Sequence, residues 1–286
     1  MGTVEQFSSI FKAATREPFT YVPPTIRKVL IVVDLQGEAA GEFTSRSRAF
    51  LSTLETPDNL EWPVLSGDDF QSVGDLLEKV EANRPDLVVT YRHLHSNAWQ
   101  WHFSLGEHLD VLTQATSIPV MVMPHPQQKG LAKHALHNTN QVMAVTDHMA
   151  GDHRLVSAAA RFTQPGGTLH LAHVEDETVF ARYIGTISKI AEIDTDMAKE
   201  EIQKRLLKEP HDYIASSREV LGDSDLHLNV KEVVMMGHHL SDYRQLVVDS
   251  EIDLLLMNTK DDEQMAMHGM AHPLAVELKT IPLLLL

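Results

Sequence analysis

The stretch Val142–Asp147 (VMAVTD), followed by His148–Phe162 (HMAGDHRLVSAAARF), decides how the rest of this chain is read. Its apolar residues do not alternate with polar ones, which is the pattern of a strand covered on both faces of a parallel sheet. The strand ends on a carboxylate and turns straight into an amphipathic helix, predicted over Gly151–Phe162. A close relative stands earlier, at Val29–Asp34 (VLIVVD). Two more pairs follow. Pro85-Asp86-Leu-Val-Val matches Ile252-Asp253-Leu-Leu-Leu, and Ile118-Pro119-Val-Met-Val-Met matches Ile281-Pro282-Leu-Leu-Leu-Leu. From Asp86 to Ile118 is 32 residues, and from Asp253 to Ile281 is 28. One fold is written twice, and its alternation of strands and helices implies parallel sheets with right-handed crossovers.

The elements between these anchors fit that plan. Val73, Leu76, Leu77 and Val80 fall at i, i+3, i+4, i+7, so the spacing predicts a helix over Ser72–Asn83. Helices are also predicted over Val4–Ala14, Phe43–Leu54 and Ser241–Ser250, with strands at Trp62–Leu65, Asp86–Thr90, Thr168–Val174 and Asn229–Val234. Ser104-x-x-Glu107 has the form of a capping box for a further helix. Glu177–Leu221 reads as a helical insertion broken near Asp194–Asp196 and at Pro210. The expected organisation is an arm over 1–25, a first domain over 26–124, a linker over 125–140 and a second domain over 141–286, with the insertion near 177–221.

Composition excludes several functions. The formal charge of −16 opposes a general nucleic-acid or anionic-membrane surface, which needs clustered Lys and Arg. The chain has no cysteine, so disulfides, thiolate catalysis and zinc–thiolate sites are out. There is no signal-peptide run and no stretch of about 20 apolar residues, so a soluble cytosolic protein is expected, without membrane insertion.

VMAVTD with its turn and the SAAARF helix, then TLHLAHVED, then VDSEIDLLLMNTK with a polar loop, a helix and KTIPLLLL, resemble the universal stress protein family in its tandem two-domain form. The likeness covers nearly all of 141–286 and, more loosely, 26–124. It implies two Rossmann-like domains, each a mostly parallel five-stranded sheet flanked by helices, paired through their last strands. ATP-binding members of that family have an Asp after the first strand, a Val at the end of the second and a loop of Gly-x-x-Gly, about nine residues, then Gly-Ser or Gly-Thr. Such glycines let backbone N–H groups approach phosphate.

Carried over by position, Asp147 and Val174 match, and Asp34 holds the Asp position in the first half. The loop departs. Asn258-Thr259-Lys260-Asp261 stands for Gly-x-x-Gly, and Gly269-Met270 for the closing pair. In the first half the loop is Thr90-Tyr91-Arg92-His93, and Gly106-Glu107 replaces the Gly-Ser pair. Asp261, Asp262 and Glu263 put carboxylates where phosphates would lie. A like-charge pair at about 6 Å costs roughly 0.7 kcal/mol in water and roughly 3 at an effective dielectric of 20. ATP with magnesium is therefore not the expected cofactor, and no other is implied.

Asp34 and Asp147 sit at the sheet's switch point, where ligands of such folds bind; the alternative is that each orders its own turn or caps its helix. His268-x3-His272 could set two imidazoles one helical turn apart for a metal, but Pro273 suits the first turn of a helix capped around His272, which breaks that spacing. Tyr91–Phe103, with Trp99, Trp101 and Phe103, reads as aromatic filling of the nucleotide space or as a lid. No Ser-His-Asp set, nucleophile elbow or P-loop stands out. The expectation is a binding or regulatory protein acting through a small ligand or an unidentified protein partner rather than an enzyme. The competing readings are a nucleotide-binding protein using the second domain and a metal-dependent enzyme. Ile118–Met123 and Ile281–Leu286 are too apolar for open sheet edges, so they should pair within the chain, in a homodimer, or both.

Overall fold

Continuous apolar runs can only be satisfied by strands covered on both faces, and the computed structural model places them at the centre of one sheet. It describes residues 18–54, 60–100, 104–131, 134–146, 149–259 and 270–286, with the backbone alone at 99 and 100. The first half supplies β1 (Val29–Val32), β2 (Val64–Leu65), β3 (Leu87–Tyr91) and β4 (Val120–Met123). The second supplies β5 (Gln141–Val145), β6 (Thr168–Asp176), β7 (Asn229–Gly237), β8 (Leu254–Met257) and β9 (Leu283–Leu285). They form a nine-stranded sheet in the order β2-β1-β3-β4-β9-β8-β5-β6-β7. Every neighbouring pair is parallel except β4–β9, which is antiparallel with Val120 opposite Leu285 and Val122 opposite Leu283. The antiparallel join reverses the halves, so the carboxyl ends of one half's strands lie beside the amino ends of the other's. Every residue of β1, β3, β4, β8 and β9 is buried. At about 1.5–3 kcal/mol per buried Val, Leu, Ile or Met side chain, these runs fix which strands are central.

Eight helices pack on this sheet among the described residues: α1 (Gly37–Phe50), α2 (Val73–Asn83), α3 (Glu107–Ala115), α4 (His153–Phe162), α5 (Glu177–Ile187), α6 (Thr195–Gly222), α7 (His239–Asp249) and α8 (Ala271–Glu277). The α/β class and the mostly parallel Rossmann-like sheet are as expected. The equal strand count is not, since the first half gives four strands among the described residues and the second gives five. Only residues 66–72 separate β2 from α2, too few for another helix and strand. The second half uses the corresponding stretch for α5, α6 and the nine-residue β7.

Local signals resolved differently in several places. The capping box forms at Ser72 and Asp75 on α2, not at Ser104 and Glu107. There the helix starts after Gly106, whose φ of +95° and close approach to His93 leave no room for a side chain: a Cβ would lie 2.8 Å from the His93 Cα. The first helix begins at Gly37 rather than Phe43, and residues 52–54 tighten into a 3-10 turn. Pro210 does not break the insertion, because α6 runs unbroken from Thr195 to Gly222 with Pro210 buried inside it. Tertiary packing there outweighs the lost backbone hydrogen bond. The last helix begins at Ala271, so His272 lies within its first turn instead of capping it. The expected helix over Val4–Ala14 lies outside the described residues.

The arm crosses the second half before entering β1. The Phe19 N–H donates to the Ser216 hydroxyl at 3.2 Å, and the Val22 N–H to the Ser157 hydroxyl at 3.1 Å. The Phe19 ring packs against His153 and Tyr213 at centroid distances of 5.8 and 6.1 Å. No helix among the described residues is long and apolar enough to cross a membrane.

Candidate functional site

At the carboxyl end of β1 the backbone enters the turn to α1, and Asp34 sits there half-buried. It does not cap α1, whose N-cap, Gln36, makes no side-chain bond to the helix. Instead its carboxylate is taken up by the loop after β3. The Tyr91 hydroxyl donates to Oδ1 and the His95 N–H donates to Oδ2 at 2.7 Å. The Asp34 N–H in turn donates to the same tyrosine oxygen at 3.2 Å. Burial, then the bond to Asp34, pushes the Tyr91 phenol well above its ordinary value, so it remains a donor at any ordinary pH.

A shell of rings closes around this pair. Phe43 and His125 meet the Tyr91 ring at 5.2 and 5.1 Å, while Phe70, His95 and His108 meet one another edge-on or tilted at 4.9–5.9 Å. Burial pushes His125 down to about 4 and lowers His93 and His108, so these three are neutral near pH 7. His93 and His95 both have left-handed backbones, at φ +59° and +55°. Such conformations cost of order 1 kcal/mol or more in non-glycine residues, and the Asp34–His95 bond helps hold the second. Gly67 is obligatory here too: a Cβ would sit 2.6 Å from the Asp34 carbonyl oxygen. Between the two histidines' neighbours, Arg92 turns the other way. Its guanidinium, 5% exposed, donates to the carbonyls of Val276 and Leu278 at 2.9 and 2.6 Å. The loop after β3 thereby caps the carboxyl end of α8 in the opposite half, and burial lowers Arg92 only to about 10, so it keeps its charge against the helix dipole.

The equivalent region of the second half is organised by other residues. Asp147 lies outside the described residues, as do Lys260, Gly269 and His268. Val174 is fully buried in β6, and its N–H donates to the Tyr243 hydroxyl of α7 at 2.9 Å. Asn258 donates from Nδ2 to Asp152 Oδ2, while Asp152 Oδ1 accepts the Leu155 N–H at 3.0 Å as the cap of α4. Burial raises the Asp152 carboxyl above its usual range. Thr259 donates its N–H and hydroxyl to the Leu286 carbonyl, at 3.0 and 2.9 Å, which ties the end of β8 to that of β9. Met270 is buried before α8 and makes no capping bond, and His272 is exposed on that helix. Among the described residues no group of three or more His, Asp or Glu could hold a metal ion.

The structure thus brings Asn258, Thr259 and Val174 into bonds with the protein itself and gathers Asp34 with Tyr91 and His95. Sequence reasoning missed Tyr91, Arg92, Asp152 and Tyr243 as the partners. Tyr91 and Arg92 lay inside the departing loop motif, which is the signal that could have exposed them. Asp152, inside the helix predicted over Gly151–Phe162 and one residue before the observed α4, is an ordinary N-cap signal. Tyr243, with Leu246 and Val247, marks the inward face of the helix predicted over Ser241–Ser250, but nothing in the sequence marks its hydroxyl as a partner of Val174.

No family model and no curated protein matches the chain. Solved structures do. A protein of unknown function from Pseudomonas aeruginosa PAO1 superposes with a TM-score of 0.54 at 11% identity, covering 92% of this chain and 93% of that one. A protein provisionally named a universal stress protein, from Pseudomonas aeruginosa UCBPP-PA14, gives 0.54 at 12% identity over 92% and 94%. At these identities the likeness is one of fold, and it covers most of both chains.

Proposed function

We propose that this chain is a regulatory protein of the universal stress type, acting by binding a ligand or a protein partner, and that it does not hold ATP in that family's usual way. The observation that carries this is the state of Asp34. Both of its carboxylate oxygens accept hydrogen bonds from the chain's own loop, through Tyr91 and His95. A nucleotide hydroxyl reaching this carboxylate would compete with both bonds, one of them from a buried phenol and each bond to a charged group worth roughly 1.5–3 kcal/mol. In the second half the Val174 N–H and the Asn258 and Thr259 side chains are already bonded within the protein. A nucleotide there would have to displace these partners as well.

Calorimetric titration with ATP and magnesium, paired with thermal melting, tests the proposal. The expected result is no saturable heat at millimolar nucleotide and no shift in Tm, for the wild type and for Asp147→Ala alike. Saturable one-to-one binding that Asp147→Ala abolishes would overturn the reading and establish the nucleotide-binding alternative.

A further inference from the structure

Away from Asp34, the reversal of the two halves leaves a cleft of about 400 Å³ at their junction. The arm forms one wall, including Val22, Pro23 and Ile26. The amino ends of β3 and β4 form a second, and α4 a third through Arg154 and Phe162, with Leu286 beneath. The volume is within the range of sites that enclose drug-sized molecules, which are mostly apolar with a few placed polar groups. The polar groups here are not equivalent. Asp86 already accepts the N–H groups of Arg27 and Lys28, at 2.8 and 3.0 Å on the same oxygen. His153 Nδ1 is bonded by the Thr20 N–H and the Tyr213 hydroxyl, both at 3.2 Å. Arg154 is exposed; its charge acts on the Asp152 carboxylate two residues earlier, and it makes no hydrogen bond and no ion pair within 4 Å among the described residues. It also lines a smaller adjoining pocket of about 60 Å³ that shares Leu286 and includes Ser117. The Ser117 hydroxyl is exposed and has no hydrogen-bond partner among the described residues, whereas the Thr259 hydroxyl in the same pocket has spent its proton on Leu286.

An apolar chamber with a guanidinium at its rim, beside a small niche holding a free hydroxyl donor, fits one ligand chemistry. We propose that the cleft binds a small anionic amphiphile, a monocarboxylate with an apolar chain or ring body. The body would lie between the arm and α4, and the carboxylate would take the fork of Arg154, a geometry that guanidinium matches with two parallel bonds. The site exists only because β4 and β9 join the halves antiparallel, which sets Pro119 and Leu286 side by side beneath the arm. It is independent of whether either half holds ATP.

The test uses the full chain and an apolar fluorescent anion, 1-anilinonaphthalene-8-sulfonate, with dodecanoate and the uncharged dodecanol as competitors. Dodecanoate should displace the probe at one site per chain. Arg154→Gln should weaken dodecanoate at least tenfold and leave dodecanol unchanged. Val22→Trp, at a position 65% exposed and so harmless to folding, should block both by filling the mouth of the cleft. Equal affinity for dodecanoate in wild type and Arg154→Gln would overturn the charge recognition. Probe binding unaffected by Val22→Trp, or displaced by ATP and magnesium but not by dodecanoate, would overturn the site itself.

Discussion

The two halves carry the same strand-and-carboxylate unit, yet they close its carboxyl end in opposite ways. In the first, the loop after β3 folds back, and Tyr91 and His95 satisfy Asp34. In the second, the closure comes from elsewhere: Tyr243 of α7 reaches the β6 backbone at Val174, and Asn258 reaches the cap of α4. Among the described residues the first half has four strands and a ring-lined loop after β3. The second has five, with α5 and α6 between β6 and β7. A carboxylate at the end of a central strand therefore marks a place in the fold, and its use depends on which neighbouring segment has grown. Both closures use a tyrosine hydroxyl: that of Tyr91 donates to the Asp34 carboxylate, and that of Tyr243 accepts the Val174 N–H.

The sharpest break in the comparison is at Arg92, which belongs to the first half and bonds the second. Arg92→Ala removes two charge-assisted bonds and orphans the last carbonyls of α8, so about 3–5 kcal/mol of stability should go. Arg92→Lys should recover little, because an ammonium cannot fork to both carbonyls. Denaturant titration measures this, and a loss under about 1 kcal/mol in Arg92→Ala would show that the halves do not lean on this contact.

Next in size is a pH effect. His170 is 2% exposed in β6, bonded to Gln141 at 2.9 Å, and pushed down to about 4 by burial, from an ordinary value of 6.5. The unfolded chain thus binds more protons between those values. Stability from this group is present above about pH 6.5 and drains as pH falls toward 4, by about 3 kcal/mol at most. His170→Gln, which keeps a donor for Gln141, should flatten the Tm-versus-pH curve in that window. His125→Gln should flatten it less, since His125 is only half-buried.

The smallest effects separate the two tyrosines. Tyr91→Phe leaves a carboxylate without its donor and should cost about 2 kcal/mol, while Tyr243→Phe strands a neutral N–H for about 1. Hydrogen exchange at His95 should quicken only in the first. Equal costs, with no change at His95, would mean that Asp34 is satisfied by solvent.

Much of this was readable in advance where the physics is local. The apolar runs in Lys28–Leu35 and Asp253–Met257 read as covered strands, because their side chains face both ways, and they hold β1 and β8. The α2 helix follows from the period of Val73, Leu76, Leu77 and Val80. Reading failed where a distant contact outbid a local signal. Ser104 lost its helix because Gly106 had to pack against His93, and Pro210 stayed in α6 because its surroundings were already buried.

The sequence by itself determined the α/β class, the repeat and the identity of the central strands, since apolar periodicity and burial are carried by neighbouring residues. Only the tertiary structure decided that the pairing expected of the last strands is made within the chain, with β4 antiparallel to β9, that Asp34 is spent on Tyr91 and His95, and that the arm and α4 enclose a cleft beside Arg154. Each depends on pairs far apart in the chain, such as Arg92 with Leu278. Hydrogen bonds and cavities of that kind are set by geometry that no local pattern encodes.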